Sequence, residues 1–236
     1  MFRKIITTSL ALTLAVAAAG CGGTAARQAS TTAQNAQAAT AAPAAAQIQL
    51  SALQGKKVLI AYFSYSTNTG QTAHLLQSKT GGDFFAIEPE TPYSTTDYRS
   101  VSAQGQREVR SGYKPPLKTK LPNINDYDVI FLGSPIWWAT MAPPVATFLA
   151  DYDLAGKTIV PFCTHAGYGA GTYFTDVARA VPQAKVLPGL ALDRRSVPGA
   201  LFLNADGQNI PPAQDELNRY PSATAAIDNW LQMLQF

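Results

Sequence analysis

From Val58 onward, short apolar runs alternate with stretches of helical spacing. Val58 to Ser64 is an apolar run that ends in hydroxyls, Thr69 to about Lys79 is helix-like, and Phe84 to Glu88 is strand-like again, which begins a βαβ pattern. A polar helix is predicted over Tyr98 to Ser111, between a Pro/Tyr/Thr loop and the breaker Lys114-Pro115-Pro116. Asp128 to Ser134 is the clearest buried strand, because a continuous apolar run suits a parallel strand covered on both faces. Next come a helix with proline in its first turn at Pro143 to Asp151, a strand at Thr158 to Thr164 and a helix at Thr172 to Val181. A strand at Lys185 to Leu192 and an amphipathic helix at Ser222 to Gln235, with Ala226, Trp230, Leu231 and Leu234 on one side, complete the series. Five strands alternating with helices predict an α/β fold with a doubly wound parallel sheet.

Residues 194 to about 221 do not fit this repeat. Their Arg-Arg-Ser-Val-Pro-Gly start, short apolar run and Pro211-Pro212 read as an insertion. Padding along one sheet edge is the favoured reading; a lid near a cofactor or a docking element for a redox partner is the other.

The first residues change the picture of where the domain works. Arg3 and Lys4, the apolar stretch Ile5 to Ala19, and then Gly20-Cys21 make an export signal too short to span a membrane comfortably. Ala18-Ala19-Gly20-Cys21 is similar to a bacterial lipobox, with Ala18 where leucine is usual, so residues 1–21 are expected to be a lipoprotein signal ending at lipidated Cys21. A plain cleaved signal is the rival. Residues 22–47, rich in Ala, Gln and Thr, cannot bury enough apolar area to fold and are expected to be a tether to a domain over 48–236.

All fifteen acidic residues and fifteen of the eighteen basic ones lie beyond residue 50, so the domain is formally neutral. No field for nucleic acid follows, although Lys114, Lys118 and Lys120 form a local basic stretch. With Cys21 used as an anchor, Cys163 is the one cysteine left, which rules out an intrachain disulfide and a metal site of cysteine type.

Three loops at strand ends carry candidate chemistry, where ligands of open parallel sheets sit. The first is Ser64-Tyr65-Ser66-Thr67-Asn68-Thr69, a hydroxyl-rich turn opening a helix. Unpaired amides, the helix dipole and hydroxyls there suit an anion, and the absence of a Lys-Ser/Thr pair favours a monophosphate over a nucleoside triphosphate. The second is Gly133-Ser134-Pro135-Ile136-Trp137-Trp138, read as a turn that offers amides on one side and a flat aromatic on the other. In the third, Thr164-His165-Ala166-Gly167-Tyr168-Gly169-Ala170-Gly171, glycines let main chain approach a ligand and Tyr168 offers a second wall.

These three loops, in this order after these strands, resemble those of flavodoxin-like proteins from about Lys57 to Leu192, with the last helix resuming near Ser222. The resemblance implies strand order 2-1-3-4-5 and an FMN site. Ser64, Ser66, Asn68 and Thr69 would hold the phosphate, and Tyr65, Pro135, Ile136, Trp138, Ala166 and Gly169 would belong to the same loops. Trp137 would stack on the isoalloxazine, while backbone at Ser134, Thr164 and Gly167 would meet its polar edge. The chain departs from the family pattern at Thr67, where glycine is usual, and at His165, where a small residue is common. A cationic His165 would stabilise an anionic ring and raise its potential.

Each feature has a plainer reading: N-caps for the hydroxyls, packing for one tryptophan, a polar loop residue for His165, surface or packing for His74, an inert thiol for Cys163. The expected function is electron transfer at the extracytoplasmic membrane surface, with redox proteins or small electron acceptors as partners. The alternatives are an FMN-dependent reductase of quinones or other small acceptors, and a cofactor-free interaction module.

Overall fold

The computed structural model describes residues 51–204, 208–219 and 221–236. The expected signal, Cys21 and the tether lie outside the described residues.

Apolar residues alternate direction along the central strands, so each strand feeds two cores. In β1 (Val58–Tyr62), Leu59 and Ala61 point to one face and Val58 and Ile60 to the other, all buried. The chain then forms helix α1 (Asn68–Thr80) and β2 (Asp83–Ala86), which pairs parallel to β1. Helix α2 (Tyr98–Ser111) precedes β3 (Val129–Trp137), which pairs with β1 on the opposite side from β2. A short β4 (Thr140–Met141) folds back on β3, followed by α3 (Pro143–Asp151), β5 (Thr158–His165) and α4 (Tyr173–Ala180). Two short strands, β6 (Lys185–Val186) and β7 (Leu190–Asp193), both pair with β5.

The order β2-β1-β3-β5-β6 is the expected 2-1-3-4-5 arrangement once the hairpin strand β4 is set aside. The order reverses between β1 and β3, and the crevice at their carboxyl ends is where a ligand fits. On one face, Val101 of α2, Phe148 of α3 and Tyr173 of α4 pack on Leu59, Ile130 and Ile159. On the other, Leu76 of α1 and Ile227 and Trp230 of the closing helix pack on Ile60, Phe131 and Val160. Each such fully buried large side chain contributes roughly 1.5–3 kcal/mol.

Three local expectations are corrected. The single strand over Lys185 to Leu192 is split, because Pro188 has no N–H for the ladder; its carbonyl instead accepts from Trp230 Nε1 at 2.8 Å. Gly133-Ser134-Pro135-Ile136-Trp137 is strand rather than turn, and the turn is Trp138-Ala139, with φ of 50° and 67°. Two consecutive positive φ values give the type I′ geometry that matches strand twist. In the closing helix, α6 (Ala223–Met233), Ile227 is the buried partner of Trp230 and Leu231, while Ala226 is half-buried. A short helix α5 (Gln214–Leu217) lies in the inserted segment. No helix among the described residues is long and apolar enough to cross a membrane.

Candidate functional site

The β1 turn is built by side chains that bond inward and leave the main chain exposed to a ligand. Ser64 Oγ accepts from the Gly70 amide at 3.1 Å, and the Thr69 and Thr164 hydroxyls are 2.8 Å apart in a buried pair that ties the first loop to the third. The Asn68 carboxamide makes two bonds with Leu201, donating to its carbonyl at 3.3 Å and accepting from its amide at 2.9 Å. Gln71 Nε2 donates to the Gly199 carbonyl at 3.2 Å. Asn68 is therefore a strut to the inserted segment, where the resemblance gave it the phosphate. Thr67 is exposed and adopts φ 66° and ψ −23°, the left-handed region that favours glycine. The turn geometry of a glycine is thus kept by a threonine.

Among the described residues, the main-chain amides of Ser66, Thr67, Asn68 and Thr69 have no acceptor within the protein. They sit at the positive end of a 13-residue helix, beside the half-buried Ser66 and the Thr67 hydroxyl. This is a frame of locked side chains around free donors.

The other end of the site is a cavity of about 580 Å³ at the carboxyl ends of β3 and β5, within the size range of small-molecule and cofactor pockets. Ile136, Trp137 and Trp138 form one side, His165, Ala166, Tyr168 and Gly169 another, and Tyr65 and Tyr98 a third. Trp137 is half-buried in edge-on contact with Phe63, Tyr65 and Tyr93, at ring centroid distances of 5.7, 5.8 and 4.9 Å. Trp138 is 49% exposed and donates from Nε1 to the Ser102 carbonyl of α2 at 3.0 Å. Tyr168 is 93% exposed at the rim. Tyr65 donates its hydroxyl to the Ser94 carbonyl at 2.8 Å, and burial pushes its pKa up.

Ser134 is wholly buried, donating to the Pro135 carbonyl at 2.8 Å and accepting from the Ala142 amide at 3.0 Å; its hydroxyl fixes the hairpin. Gly171 (φ 56°) lies so close to the hairpin turn that a Cβ there would overlap the Ala139 carbonyl, which accepts from the Thr172 amide at 2.8 Å. The second and third loops are thereby held as one wall.

His165 Nδ1 accepts from the Gly167 amide at 3.1 Å, so the neutral ring carries its proton on Nε2. Burial lowers its pKa; Asp193 opposes this and Arg195 adds to it. Burial raises the Asp193 carboxyl, but hydrogen bonds from Arg195 outweigh that and leave it below the ordinary value. Asp193 therefore belongs to Arg195, with contacts of 2.8 and 2.7 Å, and lies 3.7 Å from His165. Burial thus works against the cationic form that the sequence suggested for His165, and the neutral ring offers Nε2–H as a donor. Cys163 is buried with its pKa pushed up to about 12, which fits an inert thiol. His74 is exposed, edge-on to Phe84.

A smaller pocket of about 100 Å³ adjoins the cavity, sharing Tyr65, Trp137 and His165 with it, and is lined by Ser66, Asn68, Pro135 and Thr164 from the expected loops. It is also lined by Arg194, Leu201 and Leu203, so the inserted segment reaches over the site and is more than edge padding. Sequence reasoning missed these residues and the α2 wall of Tyr98, Val101 and Gly105. A signal existed for the latter: a glycine inside a helix marks close approach, and a Cβ at Gly105 would lie 2.9 Å from the Trp137 ring. A small pocket at the β1 turn beside an aromatic cavity fits a flat ring carrying a phosphate on a flexible linker.

The flavodoxin family model matches residues 57–201. No curated protein matches the chain. Among solved structures, a candidate flavoprotein from Bacteroides eggerthii is 34% identical with a TM-score of 0.55, over 58% of this chain and 89% of that one. Another from Bacteroides uniformis is 25% identical with a TM-score of 0.59, over 75% of this chain and 99% of that one. A flavoprotein in complex with FMN from Lactobacillus acidophilus is 25% identical with a TM-score of 0.50, over 58% of this chain and 93% of that one. With the order of its sheet, the position of its three loops and a match over more than half its length, the chain belongs to the flavodoxin family.

Proposed function

We propose that the protein binds FMN and transfers electrons at the extracytoplasmic surface of a bacterial membrane, to which lipidated Cys21 anchors it. The observation that carries the FMN reading is the aromatic cavity of about 580 Å³, with an adjoining pocket that reaches Ser66 and Asn68 of the β1 turn, where main-chain amides are open. The FMN complex of the Lactobacillus acidophilus relative supports it.

Bound FMN would supply the one- or two-electron chemistry. The protein's own groups would do the rest. The amides of Thr67, Asn68 and Thr69, with the Ser66 and Thr67 hydroxyls, hold the phosphate; Trp137 and Tyr98 flank the ring; Nε2–H of His165 is the side-chain donor available to the ring's polar edge. The exposed Trp138 and Tyr168 mark the open side through which electrons enter and leave.

An exported domain has little access to reduced nicotinamide, which favours a carrier over a nicotinamide-driven reductase. A neutral domain lacks charge steering, and the tether over 22–47 compensates by raising local concentration at the membrane. A reductase of quinones is the second reading, favoured by the aromatic lining of the open cavity, which would accept a planar acceptor.

The full chain, purified and mixed with FMN, is expected to acquire flavin absorption bands. No binding would contradict both readings and leave a cofactor-free module. Steady oxidation of NAD(P)H in the presence of a quinone would put the reductase first. Incorporation of labelled fatty acid is expected in the wild type and lost in Cys21→Ala; an unlabelled wild type would contradict the anchor.

A further inference from the structure

We propose that Arg194 supplies the cation of the phosphate site, an inference that rests on the FMN reading. The β1 turn has no Lys or Arg between Ser64 and Ser78. The helix N-terminus offers a phosphate there roughly half a positive charge, to which a side-chain cation from elsewhere in the chain would add.

The sheet places it. Asp193, the last residue of β7, pairs with His165 at the end of β5, so Arg194 starts the inserted segment on the same edge of the sheet as the β1 turn. There it lines the small pocket with Ser66, Asn68 and Thr164. The two bonds between Asn68 and Leu201 hold the inserted segment against the turn, and so keep Arg194 at this pocket.

The two adjacent arginines have different tasks. Arg195 is committed to Asp193 through Nε and Nη2 at 2.8 and 2.7 Å, and to Glu216 at 3.4 Å. Among the described residues, Arg194 has no carboxylate partner; its guanidinium lies over the Phe202 ring, 4.8 Å from the centroid. A guanidinium over the Phe202 ring is held without using its N–H donors, which have no acceptor among the described residues and can meet phosphate oxygens. Among the described residues, Arg194 is thus a charge held in place and left without a carboxylate.

The test compares FMN with riboflavin, which lacks the phosphate, by fluorescence titration of the full chain at low and high salt. In Arg194→Gln, FMN binding is expected to weaken by about tenfold to a hundredfold and to lose much of its salt dependence, while riboflavin binding changes by less than about twofold. Arg194→Lys is expected to restore part of the FMN affinity. Retained riboflavin binding shows that the variant is folded. Equal loss for both flavins would overturn the inference by making Arg194 a packing residue, and no loss for either would overturn it outright. A wild type that binds neither flavin would instead remove the FMN reading on which it rests.

Discussion

The two ends of the site use their side chains in opposite ways. At the β1 turn, Ser64, Asn68 and Thr69 spend their polar atoms on protein partners, and the main chain is what faces a ligand. At the cavity, Trp137, Trp138 and Tyr168 present side chains, and the main chain behind them is fixed by a left-handed hairpin and by Gly171. The lesson is that part of a hydroxyl-rich motif can be scaffold: Ser64, Asn68 and Thr69 shape the turn with their side chains and leave its main-chain amides open.

Variants at each end separate the two designs. The largest effect is expected for Gly171→Ala, which combines positive φ with overlap of a backbone carbonyl. A loss of about 2–4 kcal/mol in urea unfolding is expected, along with loosening of the hairpin from the third loop. At the other end, Thr69→Val leaves Thr164, which is 4% exposed, without a partner in a site where Thr69 is 1% exposed. A destabilisation of about 1–3 kcal/mol is expected, with the double variant Thr69→Val/Thr164→Val costing less than the sum of the single ones. If the two costs simply add, the hydroxyl pair is not the link between the loops.

Thr67→Gly should act in the opposite direction. A β-branched residue at φ 66° carries strain, and glycine relieves it at some cost in chain entropy, so a gain of about 0.5–1 kcal/mol is expected in the same assay. A loss would mean that the Thr67 side chain makes a contact that outweighs its strain. His165 gives the smallest effect, visible through pH. Its folded pKa lies below the ordinary 6.5, so the unfolded chain binds the proton more readily. The stability this contributes is complete above about 6.5 and is lost as pH falls below it towards the folded pKa. Midpoints of urea unfolding at neutral and mildly acidic pH should therefore differ less in His165→Asn than in the wild type. An unchanged pH response would contradict a neutral His165.

Much of the fold is legible in the chain because its long elements are locally determined. The α2 boundaries Tyr98–Ser111 follow from the flanking breakers and the Asp97 cap, whose side chain accepts from the Ser100 amide at 3.0 Å. The apolar run before Gly133 announces β3. The Trp138-Ala139 turn was hidden because neither residue is a usual bearer of positive φ, and the tertiary contacts with α2 and Gly171 impose it. The site was legible as three loops and illegible as a network. Asn68 and Leu201 are 133 positions apart, so no local pattern foretells that the inserted segment reaches over to the β1 turn. The lowered pKa of His165 was likewise out of reach, because it depends on burial and then on Arg195, which also holds Asp193.

Amide chemical shifts of the isotope-labelled full chain test the central claim most directly, through parallel titrations with FMN and riboflavin. FMN is expected to move the amide signals of Thr67, Asn68 and Thr69 together with the Trp137 and His165 ring signals, whereas riboflavin moves only the ring signals. If FMN leaves the three amides unmoved, or riboflavin shifts them equally, the β1 turn is not the phosphate end of the site.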